Sequence, residues 1–439
     1  MKTTFSLLVS IICAATLVAA APFEIAQRAD SKPNTNNNTK VTNLLPSNFV
    51  SHQSGAVYFI NNEPSGNSII VGEIQSNGAV VPNRAVLTGG KGARVQVDQA
   101  GPNALFSQGA VKASTQSKKL AAVNPGDNTV SLFSVDPKNP VNINLIGSPQ
   151  NTGGEFPVSL AFNKDGKTLC VLNGGKSSGV NCFKVEDKGL QAIKDTQRSL
   201  NLNQTTPAKG PSNTASSIMF NENNTKLIAS IKGSSTSSPG YLAVFDVAKD
   251  GSLSSNYTTV KPPAGGSLPV ALRNIPGRNA VLATDAGTGM AVFDFSTIKN
   301  VKEKGNQTST KNTLMSVNGQ KHMGWVTYSG KTKSFFMTDA GTSTITEVTV
   351  DKNLKGKVVK QYPQHDGTAT LDNAIATINN QDFLYVLNAG TSSIGAMQLS
   401  KQGNAVSLGS FDFGNAAKRA NVQLNTNNVQ GMATFNKQR

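Results

Sequence analysis

The chain is poor in the residues that usually carry metal and nucleophile chemistry: three histidines, three cysteines and one tryptophan in 439 residues. His52, His322 and His365 are scattered, and no Cys/His cluster of metal-ligand spacing exists. His-Glu-x-x-His, Gly-x-Ser-x-Gly and phosphate-loop motifs are absent, so no metal or cofactor is expected. Acidic side chains are scarce too: 25 against 41 Lys and Arg, a formal charge of +16. The bases are spread over Lys118-Lys119, Lys299 to Lys304 and Lys352 to Lys360 without interleaved aromatics. That distribution argues against nucleic-acid binding and fits a surface mildly adhesive towards acidic glycans or polysaccharide.

Long apolar runs are missing after the first twenty residues. The run from Phe5 to Ala20, behind Met1-Lys2 and ahead of Val18-Ala-Ala-Ala21, has the pattern of a secretory signal with cleavage after Ala20, and is too short to span a bilayer. The polar end Asn436-Lys-Gln-Arg439 lacks the hydrophobic tail of a lipid-anchor signal. Removing Lys2 with the signal leaves a charge of 16 − 1 = +15. The expected product is secreted and extracellular, without a transmembrane anchor, monomeric, and open to association with a cell wall.

Cys13 leaves with the signal, and Cys170 and Cys182 remain. They flank a hairpin whose turn is centred on Lys176, so an oxidising route predicts a disulfide between facing strands. Asn-x-Thr sequons at Asn37, Asn203, Asn223, Asn256 and Asn306 all fall in expected tails, turns or loops.

What is abundant is a repeat. Seven times an apolar run, a tight Asn/Asp-Gly turn and a second apolar run recur, as in Leu384 to Gly390 followed by Ser393 to Leu399. A period of roughly 50–55 residues with several strands per copy marks a β-propeller. Residues 1–20 are the signal, 21–48 a disordered polar tail, and 49–439 the propeller. Inner strands are predicted over Gly109–Thr115, Pro157–Asn163, Ala215–Asn221, Pro269–Ile275, Met323–Ser329, Asn373–Asn379 and Gln430–Asn436. Each of seven copies also has a second and a third strand, while the fourth, outer strands are not legible. The first copy starts at a second strand, Ala56–Ile60, and the last is a lone inner strand. Pairing the two closes a seven-bladed, all-β ring.

At phrases such as Asn124-Pro-Gly-Asp-Asn-Thr-Val-Ser-Leu-Phe-Ser-Val-Asp136 and Pro157-Val-Ser-Leu-Ala-Phe-Asn-Lys-Asp-Gly166 the chain resembles the seven-bladed lactonase-like propellers. With its signal and sequons it is similar to their secreted fungal, 3-carboxymuconate cyclase-like branch, which includes glycosylated wall antigens and adhesins. The resemblance implies an active centre at the channel mouth built from His, Glu and Arg. Where those enzymes often have Pro-His at an inner-strand start, this chain has Pro157-Val158 and Pro269-Val270. A residual constellation of Glu155, Arg273, His322 and Asp372 lies at or near inner-strand starts, with a carboxylate and imidazole for acid–base work and Arg273 for a substrate carboxylate. Asp285-Ala-Gly and Asp339-Ala-Gly are read as turn formers, and Trp325 as core.

Two functions follow. The missing histidines, basic surface, sequons and Ser-rich loop Gly233–Gly240 favour a secreted, non-enzymatic surface protein that binds wall polysaccharide, host glycans or matrix proteins. The alternative is an extracellular lactonase or carboxymuconate cyclase-type enzyme acting at the channel mouth.

Overall fold

Continuous aliphatic runs such as Ala280–Asp285 and Gly289–Asp294 are buried along their whole length, as strands covered on both faces must be. A computed structural model describes residues 40–46, 49–99, 101–296, 306–307 and 312–438, and in it these runs form seven four- or five-stranded antiparallel-cored sheets. The protein is an all-β, seven-bladed β-propeller.

Numbering blades along the chain, the inner strands of blades 2 to 7 are Val111–Ser114, Pro157–Phe162, Ala215–Phe220, Pro269–Asn274, Met323–Ser329 and Thr370–Ile378. Blade 1 takes its inner strand from the other end of the chain: Gln430–Asn436 pairs antiparallel with Gln53–Ile60, setting Tyr58 opposite Ala433. This is the predicted closure, and it leaves the ring no open junction. Side chains between neighbouring blades form the core. Phe133, Phe245, Phe293 and Phe336 are each at most 1% exposed, and burying one such side chain stabilises by about 1.5–3 kcal/mol.

The outer strands that the sequence did not reveal are Val80–Leu87, Ile143–Leu145, Gly189–Ala192, Thr258–Val260, Thr313–Ser316, Gly356–Pro363 and Asn404–Asp412. Several are three or four residues long, too short to show a period. The tail expected over 21–48 also needs correcting. Val41–Asn43 is a strand on the outer edge of blade 1, Val41 facing Val86, and Leu44 is buried beside it. Pairing with an exposed edge orders a segment whose composition alone would not. The signal expected over residues 1–20, residues 21–39 and the sequon at Asn37 lie outside the described residues.

Cys170 and Cys182 face each other in register and are bonded. Asn203, Asn223 and Asn256 are exposed in loops or turns. Asn306, expected in a loop, instead joins a two-residue strand parallel to Thr258–Val260. Among the described residues no helix is long and apolar enough to cross a membrane.

Candidate active site at the channel mouth

In blades 3 to 7 the inner strand slips register near its start, between Pro157 and Ser159, Ala215 and Ser217, Pro269 and Leu272, Met323 and Trp325, and Thr370 and Asn373. A bulge re-aims the residues it contains. Asp372 lies within such a bulge, and Ser159 and Trp325 are the first paired residues after theirs.

One end of the channel is plugged by the chain itself. The connection from blade 1 to blade 2 buries Ala104, Leu105 and Ser107. The Ser107 carbonyl accepts from Trp325 Nε1 of blade 6 (2.9 Å) and Gln430 Nε2 of blade 1 (3.1 Å), while Ser107 Oγ donates to Val158 O of blade 3 (2.8 Å). Gln108 donates through its amide N–H to Ser216 O of blade 4 (3.1 Å) and through Nε2 to Val326 O of blade 6 (3.0 Å). A segment bonded to blades on opposite sides of a ring crosses its centre.

Above the plug, over blades 4 to 6, lies a cavity of about 560 Å³. Phe106, Val270 and Trp325 give it apolar walls, and Lys232, Lys321 and His322 are among its polar groups, with Gln99, Asn103 and Ser212. A comparable cavity of about 600 Å³ lies between turns of blades 3 and 4 on the opposite face. Lys167, Lys184, Glu186 and Asp250 line that one with mixed charge. Of these two, the mouth cavity alone has a buried amine in its wall, so the mouth is the candidate site.

Lys232 is 4% exposed, and its Nζ donates to Phe106 O at 2.5 Å. Burial lowers its pKa to about 7, because an apolar wall disfavours the ammonium form. Its place in the repeat is unusual. The residues whose amides bond back to the start of the inner strand are Gly174, Lys232, Ala286, Ala340 and Ala389 in blades 3 to 7. Four are Gly or Ala, and blade 4 alone puts a lysine there. This departure from the repeat is the signal by which the sequence marks Lys232.

The four predicted residues divide. His322 borders the mouth cavity, its amide held by Asp339 Oδ1 at 3.0 Å. Glu155 stands apart on blade 3, accepting from Ser177 Oγ (3.2 Å) and Thr206 Oγ1. Asp372 and Arg273 lie within the channel, where both act electrostatically on Lys112. Asp372 is 1% exposed and accepts from Gln430 Nε2 (2.9 Å) and the Gly431 amide (3.0 Å). Burial raises it to about 7 against the opposing pull of the Gly431 amide and Lys112. The constellation therefore does not converge on one centre.

Asp285 and Asp339 serve turns, as read. Asp339 accepts from the amides of Lys321, His322, Gly341 and Thr342, and Asp285 from those of Ser267, Leu268 and Gly287. Trp325 is 1% exposed and packs with the core while its indole floors the mouth.

Residues 46–209 match the model of the family described as Lactonase, 7-bladed beta-propeller. No curated protein matches the chain. Among solved structures it is similar to the periplasmic gluconolactonase of Pseudomonas aeruginosa, with 15% identity and TM-score 0.60 over 88% of this chain and 99% of that one. A protein provisionally named a 6-phosphogluconolactonase, from Bacteroides fragilis, shows 14% identity and TM-score 0.55 over 88% and 99%. A protein of unknown function from Desulfotomaculum acetoxidans shows 10% identity and TM-score 0.57 over 88% and 100%. At these identities the likeness concerns the fold.

Proposed function

We propose that the protein is a hydrolase of small lactones, working in the mouth cavity with Lys232 as its base. The observation that carries this reading is the buried Lys232 amine, tied to the protein at Phe106 O, in the wall of a cavity of the size that holds a sugar-sized ligand. An amine poised near neutral pH is an effective proton acceptor. In the proposed reaction neutral Lys232 takes a proton from water, and the water oxygen attacks the lactone carbonyl. Lys321 and His322 hold the developing oxyanion or a substrate carboxylate. The ring C–O bond then breaks, and the Lys232 ammonium returns its proton to the leaving alkoxide, giving a hydroxy acid.

The family match and the gluconolactonase-like fold support this enzymatic reading over the surface-binding one, for which no feature of the mouth argues. The disulfide and the exposed Asn203, Asn223 and Asn256 support placing the activity outside the cell.

The test is turnover of a panel of neutral and carboxylated lactones, corrected for spontaneous opening. Lys232→Met should lower kcat by about 10²–10⁴-fold. Wild-type protein that opens none of them, or a variant as fast as wild type, would remove the proposal.

A further inference from the structure

Below the plug the channel holds two cations that the mouth does not use. Lys112 of blade 2 pairs with Ala121, and Arg273 of blade 5 with Leu282. Both partners lie three residues before the end of their second strand, at Asn124 and Asp285, so the two cations share one level of the ring. The other five blades put Ala161, Met219, Thr327, Ala374 and Thr434 at that level, all uncharged. The nearby carboxylate, Asp372, already accepts from Gln430 and Gly431.

Neither the Lys112 nor the Arg273 side chain has a hydrogen bond or ion pair with a described residue. Arg273 is nonetheless solvent-exposed and Lys112 half-buried, although protein walls surround both. With residues 104–108 across one mouth, water reaches them from the other. Arg273 lies one residue from the far end of its strand, consistent with that entry. The lysine stem uses the space left by Gly109, at φ +95°, where a β-carbon would come within 2.8 Å of Lys112 Cε.

We propose that this lower channel is an oxyanion site, entered from the face opposite His322, in which Arg273 and Lys112 together bind a small carboxylate or phosphate group. A planar guanidinium gives paired donors to such a group and an ammonium adds a compact charge. The mutual influence of the two cations is already felt at Lys112, which is lowered to about 8 by burial first and then by Arg273. A bound anion relieves that repulsion.

The experiment is isothermal titration of the full chain with inorganic phosphate and, separately, malonate, at ionic strength held constant with sodium chloride. One saturable site is expected for at least one probe, and which probe binds identifies the oxyanion class. Arg273→Gln and Lys112→Met should each weaken it at least about tenfold. Lys232→Met should leave it within about twofold, which separates this site from the mouth. Arg273→Lys, which keeps the charge, should bind measurably and covers the case in which the Gln variant fails to fold. The site is overturned if neither probe saturates, if Arg273→Gln binds as wild type, or if Lys232→Met abolishes binding.

Discussion

The Trp325 indole donates to the Ser107 carbonyl over 2.9 Å, so a residue just past the bulge of blade 6 holds a plug that arrives from between blades 1 and 2. Trp325→Phe keeps a ring but removes this bond and leaves space around it. The expected cost is about 1–3 kcal/mol in urea unfolding. Hydrogen exchange at residues 105–108 should quicken more than exchange in blade 3. Unchanged protection there would mean that the indole does not hold the plug.

Lys232 links folding to alkaline pH. Its pKa falls from 10.5 to about 7 on folding. Between those values the unfolded chain binds a proton that the native chain does not, so its contribution makes stability rise with pH across that window. Lys232→Met should lack this rise and should gain most over wild type below about pH 7. Denaturant melts at about pH 6, 8 and 10 read it directly, and parallel profiles for the two proteins would contradict it.

Asp372 has the opposite sign. Its pKa rises from 3.8 to about 7 on folding, so between those values the native chain binds the extra proton. Its contribution therefore falls as pH rises through the window. Asp372→Asn, which cannot ionise, should flatten that decline in denaturant melts at about pH 4, 5.5 and 7. A variant whose slope matches wild type would mean that Asp372 is not held in its neutral form.

The Cys170–Cys182 bridge closes a short loop, with a sequence separation of 12. Replacing both by Ala should lower unfolding stability by about 2–3 kcal/mol. Reduced wild-type protein should match the double variant, and a double variant as stable as wild type would contradict the prediction.

How legible this was varied with what repeats. Met323–Ser329 and Gln430–Asn436 match their predicted limits because burial keeps both free of charged residues over their whole length. The inner strand expected at Gly109 begins at Val111, and that expected at Asn373 begins at Thr370. Bulges and plug contacts move those ends, and neither has a period. The plug occurs once, so no other copy announces it. Its trace is the apolar triplet Ala104-Leu-Phe106 in a long connection. Glu155 was drawn to the site by nearness to a strand start, yet loops at a propeller mouth diverge. Lys232 was legible only by comparing the blades position by position, as a cation where four others have Gly or Ala.

The most direct measurement is the pH dependence of kcat/KM for whichever lactone turns over best, in wild type, Lys232→Met and His322→Gln. A base at Lys232 predicts activity rising with pH to a midpoint near 7, a rise kept in His322→Gln and absent from Lys232→Met. A rise that survives in Lys232→Met, or vanishes in His322→Gln alone, would contradict the account.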